Sequence, residues 1–460
     1  AIIDPANTIT ITADTSGATD GAITIGSNTG APNLNATNAG ADHLVVQSGG
    51  GALTVFSDLG NTTRLGNVTV NSTGGVITWD GDIFTEDGDV DFSAVTGAID
   101  VTGTDDDAGS PGSDWIVDTN SSATGGAGDI DFGTTATISA TAINLVFDAS
   151  LAGTIGVPGV VTLPASVTAA SVDVDGDTIS AGSITTTGGD TNGGLDGRID
   201  LNATSAAAGS ITIRGDLDTT NSQAVGGGLL QLTVNAASNV LIDRADDGTS
   251  TFRTGGANGS SSMTFNASIL DADGESLTLI ADEGDITFGV GANIGSGANR
   301  FGDVTIESAN DVSVRSITAT SVTVGLTDSV DTFGAVAGTT INVNTANGNG
   351  YALDVVAREG GTDNDDIVLQ GVDSNGVDVR LRANDEIVLN GTISSTGGGA
   401  TTDIFLMGLT AGSTIAVGDT AVASALFLSE GSLNNVAASF GGGIHIGDNT
   451  ANGSANQTGS

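Results

Sequence analysis

The stretch from Gly302 to Gly325 reads GDVTIESANDVSVRSITATSVTVG and contains nearly the same three-residue word three times. The words are Val304–Ile306, Val312–Val314 and Val322–Val324. Successive side chains of a strand point to opposite faces, so each word puts two branched apolar groups on one face and a hydroxyl on the other. The stretch therefore predicts very short strands, each ended by a turn.

The same word recurs over most of the chain, and the gaps between words are rich in the turn formers Gly, Asn, Asp and Ser. Further examples are Ile9–Ile11, Ile23–Ile25, Leu53–Val55, Val68–Val70, Ile211–Ile213, Leu277–Leu279 and Ile341–Val343, with acidic variants at Ile99–Val101 and Ile199–Leu201. A chain that turns so often needs a fold whose faces are only a few residues wide.

Three folds contain many short strands: sandwiches, up-and-down barrels and β-solenoids. Sandwich strands usually reach about five or six residues and are joined by hairpin turns. The words here are shorter and continue along the whole chain, which favours a solenoid whose coils stack on one another. The predicted fold class is all-β: an elongated parallel β-helix or β-solenoid of many short strands, with almost no helix.

One segment interrupts the words. GTIGVPGVVTLPASVTAAS, at residues 153–171, contains two of the five prolines and reads as a junction. We therefore predict an N-terminal solenoid segment at residues 1–155, a junction at 156–170, a main solenoid segment at 171–446 and a polar tail or linker at 447–460.

Composition limits the possible partners. Asp and Glu number 55 against 10 Lys and Arg, the formal net charge is −45, and all ten basic residues are Arg. Such a chain repels nucleic acid and anionic lipids, which both need a basic patch, and it attracts divalent cations. Cysteine is absent, which excludes disulfides and thiolate metal sites. No apolar run reaches the roughly 18 residues of a membrane span, so no membrane insertion is expected.

The repeated words carry a resemblance to a known family. GSITIRGDLDTT, ESLTLIADEGDITFG and the stretch from Gly302 to Gly325 resemble the secreted β-solenoid surface proteins of the filamentous haemagglutinin-like adhesin type. The likeness extends over most of residues 1–446. It implies a parallel β-helix and an extracellular or cell-surface location, and it transfers no binding residue.

Clusters of alternating acidic residues suggest calcium, because this ion takes about six to eight oxygen ligands and closely spaced carboxylates can supply them. The two best clusters are VDVDGD, with Asp173, Asp175 and Asp177, and DADGES, with Asp271, Asp273 and Glu275. A third cluster is EDGDVDF, with Glu86, Asp87, Asp89 and Asp91. None forms an EF-hand loop. The alternative is that Asp is simply a frequent turn and surface residue in an acidic protein.

A further calcium candidate is GGTDNDDI at residues 360–367. It fits the calcium-binding repeat GGxGxDxU except that Asp363 occupies the position of the third glycine. That repeat works in tandem, and here it occurs once. Asp363 and Asp365 are retained as candidate ligands beside the alternative of coincidence.

No catalytic motif is present, and no nucleophile elbow precedes a helix. The nearest candidate for a polysaccharide-active β-helix is the run Asp105–Asp107 with Trp115 nearby, which a solvated acidic loop also explains. An enzyme should gather Asp, Arg and aromatic side chains on one coil face, whereas the sequence scatters them. His445 alternates with two isoleucines and is therefore expected to point to solvent. The other histidine, His43, is distant from it in the sequence. We predict that the protein is not an enzyme.

The predicted function is an extracellular structural protein that forms or decorates a cell-surface filament, sheath or surface layer. AIIDPANTITITAD at the start and GGGIHIGDNT near the end both contain strand words and no recognisable cap, so we expect self-association into a homopolymer through open strand edges. The alternatives are an adhesin that binds surface glycans or proteins, and a polysaccharide-active β-helix enzyme.

Overall fold

A computed structural model of the chain describes residues 2–3, 8–13, 21–27, 33–102, 114–120, 126–150, 158–188, 197–203, 209–219, 231–245, 248–255, 261–282, 284–325, 330–335, 341–343, 350–358, 366–397, 402–409, 414–418, 425–438 and 440–448. The chain divides into two compact units, Ala1–Val240 and Leu241–Ser460.

Short strands dominate the described residues. Those that begin before residue 241 are β1 (Ile2–Ile3), β2 (Thr8–Thr12), β3 (Ile23–Ile25), β4 (Asn35–Ala36), β5 (His43–Gly49), β6 (Leu53–Val55), β7 (Val68–Ser72), β8 (Ile77–Trp79), β9 (Ile83–Phe84), β10 (Val90–Asp91), β11 (Ala98–Val101), β12 (Asp114–Asp118), β13 (Ile130–Asp131), β14 (Thr137–Asp148), β15 (Val160–Thr162), β16 (Ser166–Gly176), β17 (Thr178–Ala181), β18 (Ser183–Thr186), β19 (Ile199–Ala203), β20 (Ser210–Ile213), β21 (Leu217–Asp218), β22 (Leu232–Ala236) and β23 (Asn239–Ile242).

The later strands are equally short for the most part. They are β24 (Thr249–Arg253), β25 (Met263–Phe265), β26 (Ser268–Asp271), β27 (Ser276–Ile280), β28 (Ile286–Phe288), β29 (Phe301–Val314), β30 (Ile317–Val324), β31 (Val330–Ala335), β32 (Ile341–Asn342), β33 (Leu353–Ala357), β34 (Asp366–Leu369), β35 (Val372–Asp373), β36 (Val379–Ala383), β37 (Glu386–Leu389), β38 (Ile393–Ser394), β39 (Asp403–Gly408), β40 (Thr414–Gly418), β41 (Ala425–Ser429) and β42 (Gly443–Asp448). One short helix, α1 (Glu430–Asn434), lies among the described residues, and the Ser429 side chain caps it by accepting from the Ser432 N–H.

In the described residues of the first unit most strands fall into three faces, and the strand pairings within each face are parallel. One face runs β2, β5, β7, β10, β13, β15, β17, β20. A second runs β3, β6, β8, β11, then the first parts of β14 and β16, then β18 and β21. The third runs β9, β12, the second parts of β14 and β16, β19 and β22. The chain therefore passes through three faces in each coil.

The second unit repeats this plan. Its faces run β30 (start), β32, β35, β38; β24, β27, β29 (start), β30 (end), β33, β36, β39, β42; and β25, β28, β29 (end), β31, β34, β37, β41, β40. Coil length varies: Val304 pairs with Val322, a coil of 18 residues, whereas Ile404 pairs with Ile444, a coil of 40.

The interior is filled by the apolar residues of the words. Burial of one Val, Leu or Ile side chain contributes about 1.5–3 kcal/mol, so long in-register columns of them drive coil stacking. In the first unit an aromatic column joins them, with ring centroids of successive partners 5.2–6.3 Å apart. Its members are Trp79, Phe92, Trp115, Phe132 and Phe147, all buried.

The all-β parallel solenoid predicted from the words is confirmed. Its corners differ from the prediction. The first two words of the stretch from Gly302 to Gly325 form one continuous strand, β29, because the chain turns from one face to the next without leaving extended geometry. Two consecutive buried residues, Ser308 and Ala309, mark that corner by breaking the alternation.

Residues 158–170, within the predicted junction, contain β15 and the start of β16, which pair with strands on both sides. The boundary between the two compact units falls between Val240 and Leu241. The first two residues of the predicted tail, Gly447 and Asp448, end β42, and residues 449–460 lie outside the described residues.

Candidate acidic and arginine sites

The predicted cluster Asp271, Asp273 and Glu275 comes together in the turn after β26. One side-chain oxygen of each lies within 4.8 Å of the others, and no other acidic, His or Cys trio in the described part of the chain meets that distance. Asp271 and Glu275 are buried, whereas Asp273 is exposed. The turn therefore holds two carboxyl groups away from solvent.

Backbone donors make this burial tolerable. The N–H groups of Asp273, Gly274 and Glu275 donate to Asp271 Oδ1 at 2.9–3.2 Å. The Arg244 N–H donates to Glu275 Oε1 at 3.0 Å. Gly274 has a φ of 121°, which only glycine adopts readily and which aims these N–H groups at one point. The turn resembles an anion-holding nest more than an open cation cage.

The two buried carboxyl groups titrate as a pair. Burial, and then a hydrogen bond with Glu275, raises the pKa of Asp271 to about 6. Burial opposes ionisation of Glu275, but the hydrogen bond from Asp271 and the backbone donors outweigh it and lower its pKa to about 2. The arrangement suits one proton shared between two carboxyl groups.

Calcium fits this donor set only in part. The ion takes about six to eight oxygens, a number that three carboxylates reach only if each binds through both of its oxygens. Here N–H groups already use lone pairs on Asp271 and Glu275. Calcium binding at this turn therefore remains a prediction.

The second predicted cluster is spread along an edge. Asp173, Asp175 and Asp177 take outward positions along β16 and just beyond it, and Asp173 forms an ion pair with Arg198 at 3.0 Å. Their carboxylate oxygens do not all lie within 4.8 Å of one another, as those of Asp271, Asp273 and Glu275 do. The neighbours of Asp173 and Asp175 are instead aspartates of adjacent coils.

Those neighbours form a carboxylate ladder, defined here as Asp118, Asp148 and Asp175, at paired positions on β12, β14 and β16. Asp173 likewise pairs with Asp200 on β19. Burial first, and then the charges of Asp173, Asp148 and Asp200, raises the pKa of Asp175 to about 6. Like charges in register destabilise a sheet, so the ladder favours protonation.

The pKa values of Asp173 and Asp200 are also raised, chiefly by burial. Arg198 opposes both shifts by its charge. One guanidinium therefore moderates the repulsion in this part of β16 and β19 without removing it.

Two carboxylates of the third predicted cluster accept hydrogen bonds. Asp91 accepts from the N–H and hydroxyl of Ser93, and Asp89 Oδ1 accepts from the Asp129 N–H at 3.0 Å. The predicted ligands Asp363 and Asp365 lie outside the described residues, as does the run 105–107.

A cluster that the sequence analysis missed lies in the second unit. The Asp354 carboxylate is fully buried and accepts from Arg380 Nε at 2.9 Å and Nη2 at 2.5 Å, and from Arg382 Nη2 at 3.0 Å. Two guanidinium groups thus share one carboxylate. Burial is the largest influence on Arg382 and lowers its pKa, with repulsion from Arg380 adding to it.

Aromatic groups extend this cluster. The Arg380 guanidinium lies 4.0 Å from the Tyr351 ring centre, the Tyr351 and Phe405 centroids are 5.7 Å apart, and His445 stacks on Phe405 at 4.7 Å. His445 Nε2 lies 3.0 Å from Asp403 Oδ1. The expectation that His445 simply points to solvent is wrong, because the ring packs against the preceding coil.

These residues gather on one coil face because of register, so the expectation that Asp, Arg and aromatic side chains are scattered over the coil faces is wrong here. Asp354, Arg380, Phe405 and His445 occupy paired positions on β33, β36, β39 and β42. Each is the outward residue of a strand word, in LDV, VRL, IFL and IHI. Aligning the words by coil would have revealed the column, but the coils differ too much in length for simple spacing to align them.

The chain matches no protein-family model, no curated protein and no solved structure. Across the described ranges, no helix has the length and apolar character needed to cross a membrane.

Proposed function

We propose that the protein is an extracellular structural protein, which forms or decorates a cell-surface filament, sheath or layer and assembles by joining the open strand edges of successive copies. The outward positions support a scaffold, because on strand after strand they carry Thr, Asn or Asp. The resemblance of the strand words to secreted surface solenoids supports the extracellular location.

The observation that carries the proposal is a set of strands with one unused edge. Within the described residues, β2 pairs only with β5, β3 only with β6, β40 only with β41 and β42 only with β39. Three of these strands, β2, β40 and β42, also expose an apolar side chain, with exposed fractions of 37% for Ile9, 55% for Val417 and 41% for Ile444. Unpaired edges with apolar residues are templates for another strand.

Blocking one edge tests the proposal. Ala13 donates its N–H to Gln47 of β5, and alternate residues of a strand face opposite edges, so the Thr10 N–H faces the unused edge of β2. Thr10→Pro removes that donor and leaves the pairing with β5 in place. We expect sedimentation and electron microscopy to show polymers of the native chain and their loss in this variant.

The matched control is Thr10→Ala, which removes the same hydroxyl but keeps the N–H, and it should assemble like the native chain. Both variants should retain the β-rich circular dichroism spectrum. Polymers of Thr10→Pro equal in length and amount to those of the native chain would contradict assembly through this edge, and a native chain that stays monomeric at all concentrations would contradict the function.

A further inference from the structure

We propose a specific joint between copies: β42 of one copy pairs in parallel with β3 of the next, with Ile444 opposite Ile23, His445 opposite Thr24 and Ile446 opposite Ile25. This inference rests on the proposed function, and it adds the partner, a second copy of this chain, and the register.

In the proposed register, inward residues of β42 lie opposite inward residues of β3, and outward residues lie opposite outward residues. In β3, Ile23 is buried and Thr24 is exposed. In β42, Ile444 pairs with Ile404, which is fully buried, so Ile444 continues an inward column. A shift by one residue would place inward side chains outward. The phase therefore allows the proposed register and excludes its neighbours one residue away.

Hydrogen-bonding direction also agrees. Within each unit the inward residue of a strand donates its N–H to the following coil: Ile23 donates to Ala52 O at 2.9 Å, and Val322 donates to Ala352 O at 2.9 Å. By that pattern the Ile444 N–H faces the unused edge of β42. At the other edge, Thr24 is the outward residue of β3, and its N–H and C=O face away from β6. Each unused edge thus supplies the groups that the other lacks.

The pairing continues the pattern already present inside the molecule. The Ile444 N–H would donate to Ala22 O as the Ile23 N–H donates to Ala52 O. Ile444, which is 41% exposed, would become covered by an isoleucine of the next copy. The contact joins two different surfaces, so each added copy presents a new unused edge to which a further copy can add.

The chain contains no cysteine, so engineered disulfides report the register directly. Paired residues on adjacent parallel strands lie about 4.8 Å apart, within the Cα separation of about 4.4–6.8 Å that a disulfide accepts. We would oxidise the double variant Thr24→Cys/His445→Cys at about 0.5 M salt, which screens acidic repulsion. The expected result is a ladder of covalent dimers, trimers and longer species on a denaturing gel, which reductant collapses to monomer.

Two controls make the outcome decisive. Thr10→Cys/His445→Cys places the second thiol on a strand of a different face and should give no ladder. An equimolar mixture of the single variants Thr24→Cys and His445→Cys should give one covalent dimer that neither gives alone, and it avoids any double variant that folds poorly. Polymers by electron microscopy without either crosslink would overturn the register but not the proposed function; a chain that forms no polymers would overturn both.

Discussion

The chain contains ten arginines and no lysine, and several of the described arginines bridge coils. Arg64 Nη1 donates to the carbonyls of Thr85 at 3.0 Å and Asp118 at 3.2 Å, and its Nη2 donates to the Asp118 carboxylate at 2.5 Å. Arg300 similarly donates to the carbonyls of Ala319 and Asn342. A planar guanidinium satisfies two or three separated acceptors at once, which a lysine ammonium on its flexible stem does not.

Replacing one such bridge should therefore be costly. We expect Arg64→Lys to lower the free energy of unfolding by about 1–3 kcal/mol, because a lysine ammonium does not satisfy all three partly buried acceptors of Arg64 at once. Arg315→Lys is the matched control, since no hydrogen bond of Arg315 is among the described contacts, and it should change stability by less than about 0.5 kcal/mol. Urea unfolding followed by circular dichroism measures both; equal effects of the two variants would contradict the bridging role.

The identity of such partners could not be predicted from the sequence. The alternation within each word was enough to predict that Leu353 and Val379 face inward and Asp354 and Arg380 outward. Which outward residue meets which depends on coil length, and that length changes from one coil to the next. The cluster Asp271, Asp273 and Glu275 was predictable because all three residues lie in one turn.

At the scale of elements, one corner of the first unit depends on stacked glycines. A Cβ on Gly88 would lie 1.9 Å from Gly66 O, one on Gly128 would lie 2.2 Å from Gly88 O, and one on Gly159 would lie 2.1 Å from Gly128 O. These contacts are with backbone, which cannot rotate away. Glycine is needed here because successive coils approach too closely for any side chain.

Gly88→Ala should consequently destabilise the first unit by about 3 kcal/mol, since relief of the clash requires a backbone shift. Gly74→Ala has open space around the added Cβ and should be neutral. Tryptophan fluorescence reports this unit, because both tryptophans, Trp79 and Trp115, belong to it. A Gly88→Ala chain as stable as the Gly74→Ala chain would refute the close packing of this corner.

The carboxylate ladder should make stability rise on mild acidification. The folded state holds the proton of Asp175 more tightly than the unfolded chain does, because its pKa is raised from 3.8 to about 6. The repulsion is therefore fully present above the folded value, is relieved as pH falls through about 6, and gives no further gain below 3.8. We expect the thermal midpoint of the first unit to be higher at pH 5 than at pH 8.

Substitution separates this effect from the general loss of negative charge. Asp175→Asn should raise the midpoint at pH 8 and flatten its dependence on pH. Asp100→Asn is the control, because Asp100 is also outward but pairs with Thr78 and Ser139, so it should leave the pH dependence intact. Thermal melts by tryptophan fluorescence at constant ionic strength measure both. An undiminished rise in Asp175→Asn would show that the ladder is not its source.

At the scale of the whole molecule, the net charge of −45 opposes association of copies. The fold class was predictable because it depends on a local signal, a short alternating word repeated between turns. The joint between copies was only partly predictable: open ends were expected from the words alone, but the register depends on which strands keep an unused edge and which of their residues face it.

Cryo-electron microscopy of the purified chain at about 0.5 M salt, where the screening length is only a few ångströms, tests assembly most directly. If β42 of one copy pairs with β3 of the next, the images should show filaments in which strands follow one another about every 4.8 Å without interruption across each joint. Separate particles at every protein concentration, or filaments whose strand spacing breaks at each joint, would contradict assembly by strand pairing.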